Sequence, residues 1–357
     1  MAYSSITKPS LHFNTVLYTG TDAAKSVTGV GFQPDFTWIK TRSHGGTNFP
    51  HILTDAVRGV NKTLFSNTND QETTNYTNGY LSAFGTDGFT VTGQDAVSGI
   101  ARTYVGWNWK AGGGAGSSNT DGSINTTSTS VNTTAGFSIS KYTGNGTGGA
   151  TVGHGLGAVP KMIIIKVLST TNNWGVYHSG MGATNAMYLD QNSQVTSDGW
   201  LNNTAPTDQV FTLSNGNYGN TNGNTHVAYC FAEKKGFSNF GSYTGNGSTN
   251  GPFIYTGFKP AFVMIKVKSG NNNHWFLFDK HRLGYNNSDS GNNYLKTDTN
   301  EAESTNTNRI NIFSNGFKCT TSNDGVNGNG DSYIYWAIAD EPAVANVGTN
   351  GIPATAR

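Results

Sequence analysis

At 357 residues the chain is long enough for two or three domains, and with 12% charged residues and a formal net charge of +1 it carries neither the basic field of a nucleic-acid binder nor an acidic tail. No apolar run approaches the roughly 18 residues of a membrane span, and Met1-Ala2-Tyr3-Ser4-Ser5 lacks the basic start and apolar core of a signal peptide. Nucleic acid and membrane insertion are therefore not expected.

Three similar segments follow one another. Tyr18-Thr19-Gly20 returns as Tyr142-Thr143-Gly144-Asn145-Gly146 and as Tyr243-Thr244-Gly245-Asn246-Gly247, and each is followed by a proline that opens a strand ending in lysine. Those strands read Pro34-Asp35-Phe36-Thr37-Trp38-Ile39-Lys40, Pro160 to Lys166 and Pro260 to Lys266. Such self-similarity predicts tandem copies, an organisation of structural and binding proteins more than of single-site enzymes. Glycine, with 47 residues, and abundant Asn, Ser and Thr punctuate short apolar runs. The pattern predicts an all-β chain of three tandem antiparallel β-sandwich repeats, jelly-roll or lectin-like.

In chain order, repeat one is expected over 1–110 and a Gly/Ser/Thr/Asn linker over 111–135. Repeat two then spans 136–235, repeat three 236–342 and a small-residue tail 343–357. In repeat one Phe36 and Trp38 alternate with Asp35 and Thr37, so the Asp35 and Thr37 side is expected to be wet. Met162-Ile163-Ile164-Ile165 and Phe262-Val263-Met264-Ile265 are apolar on both faces and must be covered on both, by a long loop, another repeat or another subunit.

Chemistry is sparse. Asp55 and Arg58, and Asp279 and Arg282, share a spacing that suits a strand-end ion pair or a polar grip, followed by Gly59 and Gly284; repeat two has His178 and Met181 instead. Phosphate loops, nucleophile elbows and metalloprotease motifs are absent. Carboxylates that meet only in the fold leave Asp55, Asp190, Asp208 and Asp279 as the candidates for glycoside cleavage. His154 falls in a Gly-rich turn, where solvation explains it. The run from Asn323 to Asp331 supplies oxygen ligands but matches an EF-hand loop badly and reads equally as a hairpin turn. Neither a catalytic residue nor a metal or cofactor is assigned. Cys230 and Cys319 occupy non-equivalent places and predict buried thiols rather than a bridge. Aromatic residues near loops, Trp200, Tyr218, Tyr76, Tyr80 and Trp174, are the ligand-binding candidates.

The segments Tyr18-Thr19-Gly20, Val27 to Lys40, Asp55-Ala56-Val57-Arg58-Gly59 and Phe84-Gly85-Thr86-Asp87-Gly88-Phe89 resemble an uncharacterised repeated domain of virion proteins from marine bacteriophages that infect cyanobacteria and related hosts, as does the end Gly351 to Arg357. The resemblance implies a structural protein of the virion and names no ligand or catalytic residue. The resulting expectation is a tail fibre or host-recognition component that binds a host surface glycan or protein. Other virion proteins would be its partners, in a homo-oligomer such as a trimer. Alternatives are a capsid decoration protein and a glycan-degrading tailspike enzyme. Limited proteolysis is expected to cut between Ala111 and Ala135, where polar small residues leave the backbone open.

Overall fold

The computed structural model describes residues 4, 6–43, 47–74, 79–216, 218–282, 293–305, 308–342, 344–345 and 352–353, the last of these from 341 on by backbone alone. Among the described residues the chain is nearly all β, with antiparallel pairing in every sheet. In the first unit β1 (Phe13–Thr19), β7 (Thr103–Trp109), β3 (Phe36–Thr41) and β4 (Ile52–Asp55) form a sheet in that order, and β2 (Lys25–Thr28), β6 (Gly88–Val91) and β5 (Leu81–Gly85) form a smaller one. In the second, β8 (Ser128–Asn132), β9 (Phe137–Thr143), β15 (Thr225–Ala232), β11 (Pro160–Val167), β12 (Gly175–His178) and β13 (Met187–Tyr188) lie side by side, and β10 (Ala150–Gly153) pairs with β14 (Val210–Leu213). In the third the larger sheet runs β16 (Ser238–Thr244), β23 (Ser332–Pro342), β18 (Phe258–Ser269), β19 (Phe276–Asp279), β20 (Leu295–Lys296). Its smaller sheet runs β17 (Phe253–Tyr255), β22 (Gly316–Cys319), β21 (Ile310–Phe313), and a short pair, β24 (Val344–Ala345) with β25 (Ile352–Pro353), follows.

The tyrosine-led turn is a lock at the end of the strand that pairs with each unit's last long strand, β1 with β7, β9 with β15 and β16 with β23. Tyr18, Tyr142 and Tyr243 stack on Tyr104, His226 and Tyr333 of the last strand at 5.0–5.1 Å. Their hydroxyls donate to the carbonyls of Val97, Gly219 and Val326. That bond draws the loop before the last strand onto the turn. A Cβ on Gly20, Gly144 or Gly245 would lie 2.2–2.5 Å from the carbonyl oxygen of Gly99, Thr221 or Gly328, so the close passage of two backbones requires glycine. Asn220 and Asn327 satisfy the turn amides of Asn145 and Asn246 from the crossing loop.

Alternation places the inner strands of the larger sheets between two cores. Ile39, Ile163 and Ile165, and Val263 and Ile265, face the core each unit makes with its own smaller sheet. Phe36 and Trp38, Met162 and Ile164, and Phe262 and Met264 face one central core shared by all three units. Rings meet across every boundary: Phe36 on Tyr229 at 4.7 Å, Phe231 on Trp336 at 4.4 Å and Trp109 on Trp336 at 5.7 Å. The doubly apolar strands are thus covered twice, by their own unit and by the other two. The expectation of a wet Thr37 fails, because Thr37 is 0% exposed against 4% for Ile164 and 0% for Val263. Its side of the strand faces inward within the first unit, where its hydroxyl donates to Asn108 Oδ1 at 3.0 Å. Asp35, also buried, accepts the amides of Ala111, Gly113 and Gly114. Polarity here marks internal hydrogen bonding rather than solvent.

The lysines that close the three proline-led strands are buried and join the units in cyclic order. Lys40 Nζ donates to the carbonyls of Phe49 and, in the third unit, Asn300; Lys166 to those of Asn172 and, in the first, Asn69; Lys266 to those of Asn273 and, in the second, Asn192. Ring N–H groups repeat the order: His51 Nε2 to Lys296 O, Trp174 Nε1 to Phe65 O and Trp275 Nε1 to Tyr188 O, at 2.8–3.0 Å. Tyr229 Oη donates to Asp55 and Trp107 Nε1 to Asp279, while His178 Nε2 donates to the Tyr335 carbonyl. First unit clasps third, third clasps second, second clasps first.

The segment 111–135 does not behave as a loose linker. β8 extends the second unit's larger sheet, Ile124 is buried in that unit's core, and Asp35 grips the segment's start. Strand pairing removes the open backbone that proteolysis needs, so native-state cleavage between Ala111 and Ala135 should be slow, as gel bands after limited digestion would report.

Burial pulls Lys40 down to about 7 and Lys166 and Lys266 down to about 8. An unfolded lysine titrates near about 10.4, so the unfolded chain binds more protons across the interval between these values and stability rises with pH there. Below about pH 7 the lysines are charged in both states and the burial penalty is fully present. The thermal midpoint should climb from about pH 7 to about 8.5, below the range in which the unfolded thiols of Cys230 and Cys319 ionise and oppose the trend, and the combined Lys40→Met, Lys166→Met and Lys266→Met variant should flatten the climb. Denaturant titration tests the Asp–Arg pairs: Arg58→Met takes the cation from the buried Asp55 carboxyl group and should cost about 3–5 kcal/mol. Adding Asp55→His reproduces the second unit's His178 and Met181 arrangement and should recover at least about 1 kcal/mol of that loss.

Candidate functional site

The aromatic residues singled out from the sequence are mostly interior. Trp200 is buried in the second unit's core, Tyr80 in the first unit's, and Trp174 in the central core with its indole bonded across to Phe65 and Thr68. Tyr218 is half-buried with its ring 5.1 Å from that of Tyr188, whose hydroxyl donates to Asp198. Tyr76 lies outside the described residues, as does Gly284.

Three of the four carboxylate candidates are likewise engaged. Asp55 and Asp279 are fully buried and each pairs with the arginine three residues on, which is held in turn by Glu72 or Glu303. Asp190 accepts the Trp174 amide, and burial pushes it up to about 6. Asp208 is exposed on a turn. In the Asn323 to Asp331 loop, Asn323 Oδ1 accepts the Gly325 amide and a bond from Arg309, and Asn327 holds the facing turn. Among the described residues no three His, Cys, Asp or Glu side chains gather as a cation site. His154 is buried, with Nδ1 accepting the Leu156 amide and Nε2 donating to the Thr207 carbonyl. Cys230 and Cys319 are free, buried thiols that burial pushes up.

A different surface carries unburied aromatic chemistry. On the third unit's smaller sheet, Phe253 is 46%, Tyr255 62% and Phe313 39% exposed. Register sets them in two rows, Phe253–Lys318–Asn311 and Tyr255–Gly316–Phe313, on the face opposite the buried Ile254, Phe317 and Ile312. Phe253 and Phe313 meet edge to face at 5.8 Å. A Cβ on Gly316 would lie 2.9 Å from the Phe253 ring tip, so this ring partly shields a glycine in the central strand, which is a packing role. Tyr255 is the most exposed of the three.

The matching positions of the other units are small or hydroxylated. By register Ser26 and Thr28 in the first unit, and Thr151 and Gly153 in the second, stand where the third has Phe253 and Tyr255; Gly85 of the first stands where the third has Phe313. Sequence reasoning missed this site because an isolated Phe-Ile-Tyr run reads as one more strand. Aligning the copies in register would have found it. Tyr255→Ser should shift stability by less than about 0.5 kcal/mol, whereas Phe317→Ala on the inner face should cost about 3–5 kcal/mol, in the same unfolding measurement.

No curated protein and no solved structure matches the chain. The match to a family runs from residue 8 to residue 342, through all three units. The chain belongs to the family described as a domain of unknown function (DUF7483).

Proposed function

We propose that this chain is a bacteriophage virion protein of three tandem β-sandwiches that serves host recognition, in a tail fibre or comparable component, by binding a host surface glycan or protein. The observation that carries the binding role is the solvent-facing Phe253, Tyr255 and Phe313 cluster on one unit of three. The rings are not demanded by the fold, because the matching positions of the other two units are small or hydroxylated, and grouped exposed aromatic side chains suit stacking on a ligand. The sandwich reading rests on each unit's larger and smaller sheets sharing a core, with the first strand paired to the last (β1 with β7) and the second to the one before it (β2 with β6). Such nested pairing is the jelly-roll habit. In this proposal three units of one chain take the places that three subunits take in a trimeric fibre.

The inward commitment of Asp55, Asp190 and Asp279 speaks for binding over glycan cleavage. Antibody labelling of particles under the electron microscope tests the assignment. Label on the tail is expected; label on the head would transfer the chain to capsid decoration, and an unlabelled particle would overturn the virion reading. Release of reducing ends from host polysaccharide, lost in Asp208→Asn, would replace recognition by an enzyme.

A further inference from the structure

The face bearing Phe253, Tyr255 and Phe313 has a charge pattern that narrows its ligand. Lys318 stands in the central strand between Phe253 and Asn311, and none of the residues of β17, β21 and β22 is acidic. The ammonium donates to Asn250 Oδ1 at 2.6 Å, which uses one of its three donors. Rings flanking a single cation make a surface that is apolar and electropositive at once.

We propose that this face binds an acidic polysaccharide, adjacent pyranose rings stacking on Tyr255 and Phe313 and a ring carboxylate directed to Lys318. The proposal rests on the reading of the chain as a surface-binding protein and names the chemical class of the ligand. Size favours a sugar over a protein. The strands carrying Tyr255 and Phe313 are separated by one intervening strand, hence about 10 Å, a span of one to two pyranose rings. Three half-exposed rings offer roughly 200–300 Å², well short of the ~800 Å² per partner of a stable protein interface. The first and second units, with Ser26, Thr28, Thr151 and Gly153 at the matching positions, lack the stacking platform and serve as internal controls.

The test is calorimetry of the full chain with an oligogalacturonate and with a maltodextrin of equal length. The acidic oligomer is expected to bind and the neutral one to bind at least about fivefold more weakly at low salt, with the preference shrinking as salt screens the lysine. Tyr255→Ala and Phe313→Ala should each weaken binding about tenfold, and Lys318→Gln should abolish the preference for the acidic oligomer while retaining stacking. Thermal unfolding checks that each variant is folded, and Ser26→Ala, on the first unit's equivalent face, should leave binding unchanged. Equal binding of the two oligomers, binding of neither, indifference to Tyr255→Ala, or self-association of the chain that Tyr255→Ala abolishes would each overturn the acidic-sugar assignment. Particle labelling is read separately, so loss of this ligand class with tail label retained refutes this inference and leaves the recognition role standing.

Discussion

A sheet that is apolar on both faces has to be covered twice, and the architecture of this chain follows from that constraint. Each larger sheet spends one face on its own smaller sheet and the other on the two neighbouring units. With about 1.5–3 kcal/mol for each fully buried large apolar side chain, the shared core is among the largest favourable contributions to association of the units. No unit can leave without exposing Phe36, Trp38, Met162, Ile164, Phe262 or Met264 to water.

Apolar burial fixes no orientation by itself, and the clasps supply it. Lys40, Lys166 and Lys266 reach carbonyls at equivalent places in the neighbouring unit, and His51, Trp174 and Trp275 do the same one turn of the loop away. Their geometry is directional, so slippage of one unit against another leaves buried donors unmatched, which is costly in a low-dielectric interior. The second unit shows that the ionic form is not obligatory: His178, at the position of Asp55 and Asp279, crosses the boundary with the donor reversed, giving its Nε2–H to the Tyr335 carbonyl with no arginine beside it. Cyclic bonding through neutral carbonyls conserves the order of the units while letting individual side chains vary.

With the larger sheets committed to holding the body together, the outer faces of the smaller sheets are left to vary. Two of them carry Ser, Thr and Gly, and the third carries aromatic rings around a lysine. Their inner residues Val27, Val152 and Ile254 remain apolar and buried in all three. A surface can change character in this way because outward-facing strand positions contribute little to stability, and the alternation of a strand separates the two roles residue by residue.

The sequence alone determined the β class, the recurring Tyr-Thr-Gly and Pro-to-Lys segments, the buried thiols and the need to cover Met162 to Ile165 and Phe262 to Ile265 on both sides, since turn chemistry and alternation are local properties of the chain. It also marked the glycines of the Tyr-Thr-Gly turns and the lysines at the strand ends, without revealing what met them. Tertiary structure decided that the cover is another unit of the same chain, that Thr37 and Asp35 are interior, that 111–135 carries a sheet strand, and that Trp200 and Trp174 are core while Phe253, Tyr255 and Phe313 are surface. The reason is physical: alternation says which residues share a face, but which face meets water depends on partners distant in sequence, whose approach is set by contacts such as Lys40 with Asn300 that no local pattern encodes.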